Sequence, residues 1–208
     1  MRPETAAAAD ALAPEDQARA NIYALLARLY ADGPDAELLD RLAASDEMVA
    51  EGSETGLADA WNALIAAAGA MDQEAARQEY DDLFVGVGKS PVNLHASHYL
   101  AGFQMERPLA ELRSNLAALG LARKPGHALV EDHLASLCET MRLLIAGSER
   151  FRPAGIPRQE AFFEGHIGQW FGECCNAIRT CPVANFYSKV AQFTSRFLEL
   201  EQQAFRVG

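Results

Sequence analysis

Strand patterning is missing from this sequence. No segment sustains the alternation of apolar and polar residues that a half-buried strand requires, so no strand is expected. No apolar window reaches the ~20 residues that carry a helix across a membrane, so stable membrane insertion is not expected. Cysteine is scarce: Cys138, Cys174, Cys175 and Cys181 form no C-x-x-C, and two of them are adjacent, a poor arrangement for a pair. They read as reduced thiols of a cytosolic protein. The opening residues, Met1-Arg2-Pro3-Glu4-Thr5 followed by alanines and Asp10, hold no long apolar segment of the secretory kind. A cytoplasmic location is therefore expected. Basic residues are outnumbered, 18 Lys+Arg against 29 Asp+Glu, for a formal net charge of −11. No basic stripe is visible, and the net field repels phosphate backbones, which excludes nucleic acid as a partner. The same field favours encounter with a cationic partner, although many acidic surfaces serve solubility alone.

The signatures of common catalysts are absent too. There is no G-x-S-x-G elbow and no H-E-x-x-H. Gly86-Val87-Gly88-Lys89-Ser90 resembles a phosphate loop, but a Walker A loop needs G-x-x-x-x-G-K-[ST] between a strand and a helix. Leu83 stands at the first glycine position and the preceding residues have helical periodicity, so the segment reads as a Gly-rich helix end and turn. His95, His98, Asp132 and His133 raise one alternative, a small helical metal-dependent hydrolase. Their spacing matches no zinc motif, and helix capping or a partner contact accounts for them equally well. Cys138 and Cys174 lie on apolar helix faces, where a thiol acts as a small hydrophobe, while Cys175 and Cys181 are expected to be more exposed. No catalytic residue, metal or cofactor is assigned.

What the chain has in abundance is alanine, leucine and helical periodicity. With 208 residues it buries roughly 70% of its unfolded surface and needs no staple. Residues 1–12 read as a disordered tail and 13–208 as a single all-helical domain. Pro14 suits a first helical position ahead of Ile22, Leu25, Leu26 and Leu29, and Asp32-Gly33-Pro34 ends that helix. Further stripes run through Leu38–Leu42, Leu57–Ala68 and, capped by Asp72, Tyr80–Phe84. A short helix is expected around His98–Met105. Pro108 opens a helix bearing Leu109, Leu112, Leu116 and Leu119, with Gly120 as its C-terminal cap. Leu134 to Ile145, Phe162 to Cys174, and Phe186 to Leu198 supply the last three stripes. The fold class is all-α, a compact multi-helix bundle.

Tyr80, Leu83 and Phe84 follow i, i+3, i+4 spacing, which favours core; yet the patch ends at a Gly/Pro loop, where an apolar face can open onto a groove. Around it, Glu79-Tyr80-Asp81-Asp82-Leu83-Phe84-Val85-Gly86-Val87-Gly88 resembles the E-Y-x-x-L-F-x-G-x-G block of the TorD/DmsD/NarJ-like chaperones of molybdoenzymes. Pro91 with Ser97-His98-Tyr99 is similar to the downstream P…S-x-Y element of that family. Glu131-Asp132-His133 resembles the end of its E-P-x-D-H motif, with Leu129-Val130 standing where the E-P pair falls. Phe186-Tyr187 and Thr194-Ser195-Arg196-Phe197-Leu198 resemble its F-Y…T-x-x-F-L pattern. The resemblance spans residues 15–205.

The resemblance implies a TorD-like helical fold and binding rather than turnover. The expected partner is the apo form of a molybdoenzyme catalytic subunit, held by its N-terminal twin-arginine-type leader while molybdenum cofactor is inserted, with cofactor delivery proteins as further partners. A formate dehydrogenase is one candidate client, beside dimethylsulfoxide, trimethylamine N-oxide and nitrate reductases. By matching positions the peptide site comprises Tyr80, Leu83, Phe84 and Tyr99 with Asp132 and His133, and more weakly Ser97 and Glu131. The first three would accept apolar leader residues. Asp132, with Glu131, would pair with an arginine. His133 would bond the peptide backbone or orient Asp132. Some members of the family are associated with guanine nucleotide, which keeps weak nucleotide binding open as a third reading.

Overall fold

A computed structural model describes residues 12–49, 55–85, 90–100, 107–124, 126 and 128–207. The tail expected at 1–12 lies outside these but for Leu12. So do the Gly86–Lys89 part of the loop and residues 101–105 of the short helix expected at 98–105.

Among the described residues there are ten α-helices and no strand. Helix α1 (Pro14–Ala31) starts with proline at its first position and acids in its first turn, where the missing N–H and the positive helix end suit them. Helix α2 (Ala36–Ala43) and α3 (Thr55–Gly69) follow, the former capped by Asp35, whose carboxylate accepts from Leu38 N. Helix α4 (Gln73–Tyr80) is capped by Asp72 in the same way and runs on into a π-helical turn, Asp81–Val85. Helix α5 (Ala96–Leu100) is short, and α6 (Arg107–Ala118) ends on Gly120, whose φ of 74° only glycine adopts without strain. Helix α7 (Leu134–Ala146) buries its whole predicted stripe, Leu134, Leu137, Cys138, Met141, Leu144 and Ile145. Helix α10 (Phe186–Val207) likewise buries its predicted stripe, Phe186, Tyr187, Val190, Phe193, Phe197 and Leu198.

One predicted helix is two. The stripe from Phe162 to Cys174 divides into α8 (Ile156–His166) and α9 (Phe171–Thr180). In the turn between them the Phe163 carbonyl accepts from both Ile167 N and Gly168 N, and the Trp170 indole donates to the His166 carbonyl. A Cβ at Gly168 would come within 2.9 Å of the ends of the Gln202 and Glu164 side chains, so a larger residue there would have to push both aside. Ile167 and Trp170 are buried on either side of the break, which is why the apolar period runs through it unchanged. Cys175, expected to be more exposed, is buried in the core with Cys138 and Cys174, while Cys181 is half-buried.

Helix α1 packs along α7, α10 lies against α3 and α9, and α2 packs on α3. Their apolar faces meet in one contiguous core whose largest fully buried side chains are Trp170, Tyr23, Tyr30 and Tyr187. A polar tie crosses this core. Arg19 of α1 donates to both carboxylate oxygens of Glu201 on α10 (2.7 and 2.9 Å), to Asp16 and to Gln159, and Tyr23 donates to Glu201 as well. No described helix is long and apolar enough to cross a membrane.

Candidate peptide-binding site

The E-Y-x-x-L-F block is split between structure and surface. Glu79 is buried, and its carboxylate accepts from the backbone N–H groups of Asn185 (2.8 Å), Phe186 (3.0 Å) and Tyr187 (2.8 Å). These are the orphan donors at the start of α10, so Glu79 caps a helix that begins more than a hundred residues later. Tyr80 is buried, and its hydroxyl donates to the Tyr30 carbonyl; burial pushes it up to about 12. Leu83 is fully buried. Phe84 is half-buried, and its ring meets Tyr30, Tyr80 and Tyr187 edge-on at 5.1–6.3 Å between centroids. The π-helical turn shifts the register after Tyr80, which sends Leu83 inward and leaves Phe84 at the surface of an aromatic cluster.

Beyond it a strap, residues 90–96, bent at Pro91 and Val92 and ending on the first residue of α5, leads to the second half of the predicted site. Val92 N donates to the Leu83 carbonyl at one end. At the other, Leu134 N donates to the Leu94 carbonyl and Ala96 N to the Asp132 carbonyl, and His95 and His133 pair as an isolated bridge. Tyr80, Leu83 and Phe84 are thus joined to Asp132 and His133 through the strap rather than by a shared cluster of side chains. Tyr99 stands beside the strap: its hydroxyl donates to the Asn93 carbonyl (2.8 Å) and its ring stacks on Trp170, and burial raises its hydroxyl far above the ordinary range.

Asp132 is only 2% exposed. Its Oδ2 accepts from Ser97 N at 3.1 Å, and among the described residues no arginine or lysine pairs with it. It forms part of the wall of a cavity of about 300 Å³ between α5, α6 and the α8–α9 turn, with Glu111, His166 and Gln169. Glu131 faces elsewhere. It is paired with Arg113 of α6 at 3.1 Å, and that guanidinium holds its carboxyl below the usual range. His133 caps α7: its Nδ1 accepts from Ala135 N at 3.2 Å. Burial, then the neighbouring His95 ring at 5.0 Å, push it down to about 4, against an opposing pull from Asp132. His166, which bonds Asn115 across to α6, is also depressed by burial, opposed by Glu111.

The four residues of the hydrolase alternative do not converge. The His133 Nδ1 is committed to a backbone N–H, and His98 is exposed with its ring against Tyr99. Among the described residues no three His, Cys, Asp or Glu side chains could hold a metal together. Gly86–Lys89 of the phosphate-loop look-alike lie outside the described residues. Sequence reasoning missed the roles of Glu79, Glu111, His166 and Gln169. Only Glu79 carried a signal, its place at the head of the motif.

The family model described as nitrate reductase delta subunit matches residues 50–176, more than half of the chain. That span holds the aromatic cluster's Tyr80 and Phe84, the strap and Asp132-His133. No curated protein matches the chain.

Proposed function

The chain belongs to the nitrate reductase delta subunit family, the NarJ/TorD-type chaperones of molybdoenzymes, and from that premise we propose that it binds the N-terminal, twin-arginine-type segment of one molybdoenzyme catalytic subunit in the cytoplasm. It holds the apo subunit while molybdenum cofactor is inserted, together with the proteins that deliver that cofactor. A formate dehydrogenase is the first client to test.

Asp132 carries the reading. A carboxyl buried this deeply without a cation is costly unless something completes it, and a guanidinium supplies both charge and paired donors. The cavity beside it, lined also by Gln169 and by Glu111, which Arg107 already pairs at 2.9 Å, has room for such a group at the Asp132 end. At the far end of the strap Phe84 offers an aromatic surface for an apolar leader residue. Ser97 supports the site by holding Asp132 through its backbone N–H.

Asp132→Asn tests this, because the amide oxygen can still accept from Ser97 N. Titration of a labelled leader peptide followed by anisotropy should show at least about a tenfold loss of affinity, with the urea midpoint unchanged. Unchanged affinity in a folded variant would remove Asp132 from the site. Affinity capture from native cells addresses the client. Failure to recover any molybdoenzyme catalytic subunit where apoenzyme accumulates would overturn the chaperone's proposed partner.

A further inference from the structure

A second groove runs between α1 and α7, with a volume of about 390 Å³. It is lined by small side chains at helical spacing: Ala24, Ala27 and Ala31 on α1, and Ser136 and Thr140 on α7. Leu116, Leu121, Leu129 and Leu143 make its walls. The lining on α7 extends from Ala135 to Leu143, a rise of about 12 Å, or two turns. A lining of small residues on two helices, walled by leucines, is a seat for a third helix.

The charges around it are not neutral toward a newcomer. Arg28 is tied to Asp35 (2.6 Å), Glu131 to Arg113 (3.1 Å) and Glu139 to Arg142 (2.7 Å). Arg123 and Lys124 are both exposed. Among the described residues Arg123 donates to the Leu129 carbonyl at 3.4 Å and adds weakly to the pull of Arg113 on Glu131, and no ion pair includes Arg123 or Lys124. In a chain of net charge −11, the two uncommitted charges at this rim are therefore both positive. Leu129 adds to the effect: it stands where the E-P-x-D-H pattern has its acid, so the wall is apolar at that point.

We propose that this groove is a second docking site, which takes a short amphipathic helix of another protein carrying carboxylates beside its apolar stripe. A basic leader is a poor occupant here. It would meet two uncommitted cations, and the groove's acids already have partners. The two sites thus select opposite charge.

Two labelled helical peptides test it. Both carry leucines at i, i+3, i+4 and i+7, one flanked by glutamates and one by lysines. Each is titrated by anisotropy against the full chain at low salt. The glutamate peptide should bind at least about tenfold more tightly. R123A/K124A, both at exposed positions, should erase the difference. Ala27→Leu, which fills the groove, should weaken both peptides, and Asp132→Asn should leave the preference intact. Equal affinities, a preference for the lysine peptide, or indifference to R123A/K124A in a folded variant would overturn the proposal. So would self-association of the chain that R123A/K124A abolishes, which would make a second copy the occupant.

Discussion

Acidification should loosen this chaperone at one identifiable point, the His133 cap. In the folded chain His133 is held at about 4, whereas an exposed imidazole titrates at 6.5. Between those values the unfolded chain binds a proton that the folded chain refuses. The stabilising contribution is complete above pH ~6.5 and is lost as pH falls toward 4. The full difference of 2.5 units amounts to ~3 kcal/mol, of which ~2 kcal/mol is gone by pH ~5. Geometry gives the same sign, because a protonated Nδ1 can no longer accept from Ala135 N. The perturbation is His133→Asn, which retains an N-capping acceptor and does not titrate. Urea unfolding of both proteins at about pH 7.5 and about pH 5 yields four free energies. Titratable groups away from His133 affect both proteins alike and drop out of the double difference; only His95 and Asp132, which act on His133 directly, stay coupled to it. The wild type should lose ~2 kcal/mol more than the variant on going to pH 5. If the two proteins lose the same amount within ~0.5 kcal/mol, His133 is not a buried neutral cap and the account of the Asp132-His133 loop is wrong.

Two further outcomes follow from the polar ties. Glu79→Ala leaves the N–H groups of Asn185, Phe186 and Tyr187 without their acceptor and should cost about 3 kcal/mol in urea unfolding, with faster hydrogen exchange confined to the start of α10. Glu79→Gln should cost less, since one oxygen still accepts. Arg19→Met strands Glu201 in the core and should cost ~3 kcal/mol, whereas R19M/E201L should recover most of that loss; a double variant no more stable than the single would show that the pair itself holds α1 to α10.

The helical class and most helix ends were legible because they are written locally. Pro14, Asp72 and Gly120 act on the turn in which they stand, and the stripes of α7 and α10 are buried residue for residue as their spacing predicts. The turn at Ile167–Trp170 was not legible, since both faces of the break point into the core and only Gly168 marks it. Cys175 misled for a related reason. Its neighbour Cys174 already accounts for the apolar face, but α9 packs on α10 closely enough to hide two adjacent positions. The candidate site could be read from the sequence as a set of residue types and less so as an arrangement. Tyr80, Leu83 and Phe84 form one helical patch in the sequence, yet only Phe84 is at the surface, because the π-helical turn changes the register. Glu131 and Asp132 read as a pair of acids for one arginine, but Glu131 has taken Arg113 from α6, a partner that no local spacing announces. Arg19 with Glu201 and Glu79 with α10 were invisible for the same reason. They join residues 182 and more than a hundred positions apart, and each looks from the sequence like an ordinary charge beside an apolar stripe.

The strap at 90–96 is fastened at both ends by backbone hydrogen bonds, to the Leu83 carbonyl on one side and to the Leu94–Leu134 and Ala96–Asp132 contacts on the other. Backbone fastening does not stretch with side-chain rotamers, so the span between Phe84 and Asp132 is a gauge of set length. On the peptide site proposed above, a leader with the right apolar residue and the right base but the wrong number of residues between them would fill one end or the other and not both. Selectivity of that kind would read spacing before identity, so a leader lengthened by one residue between the two anchors should bind as weakly as one that had lost an anchor.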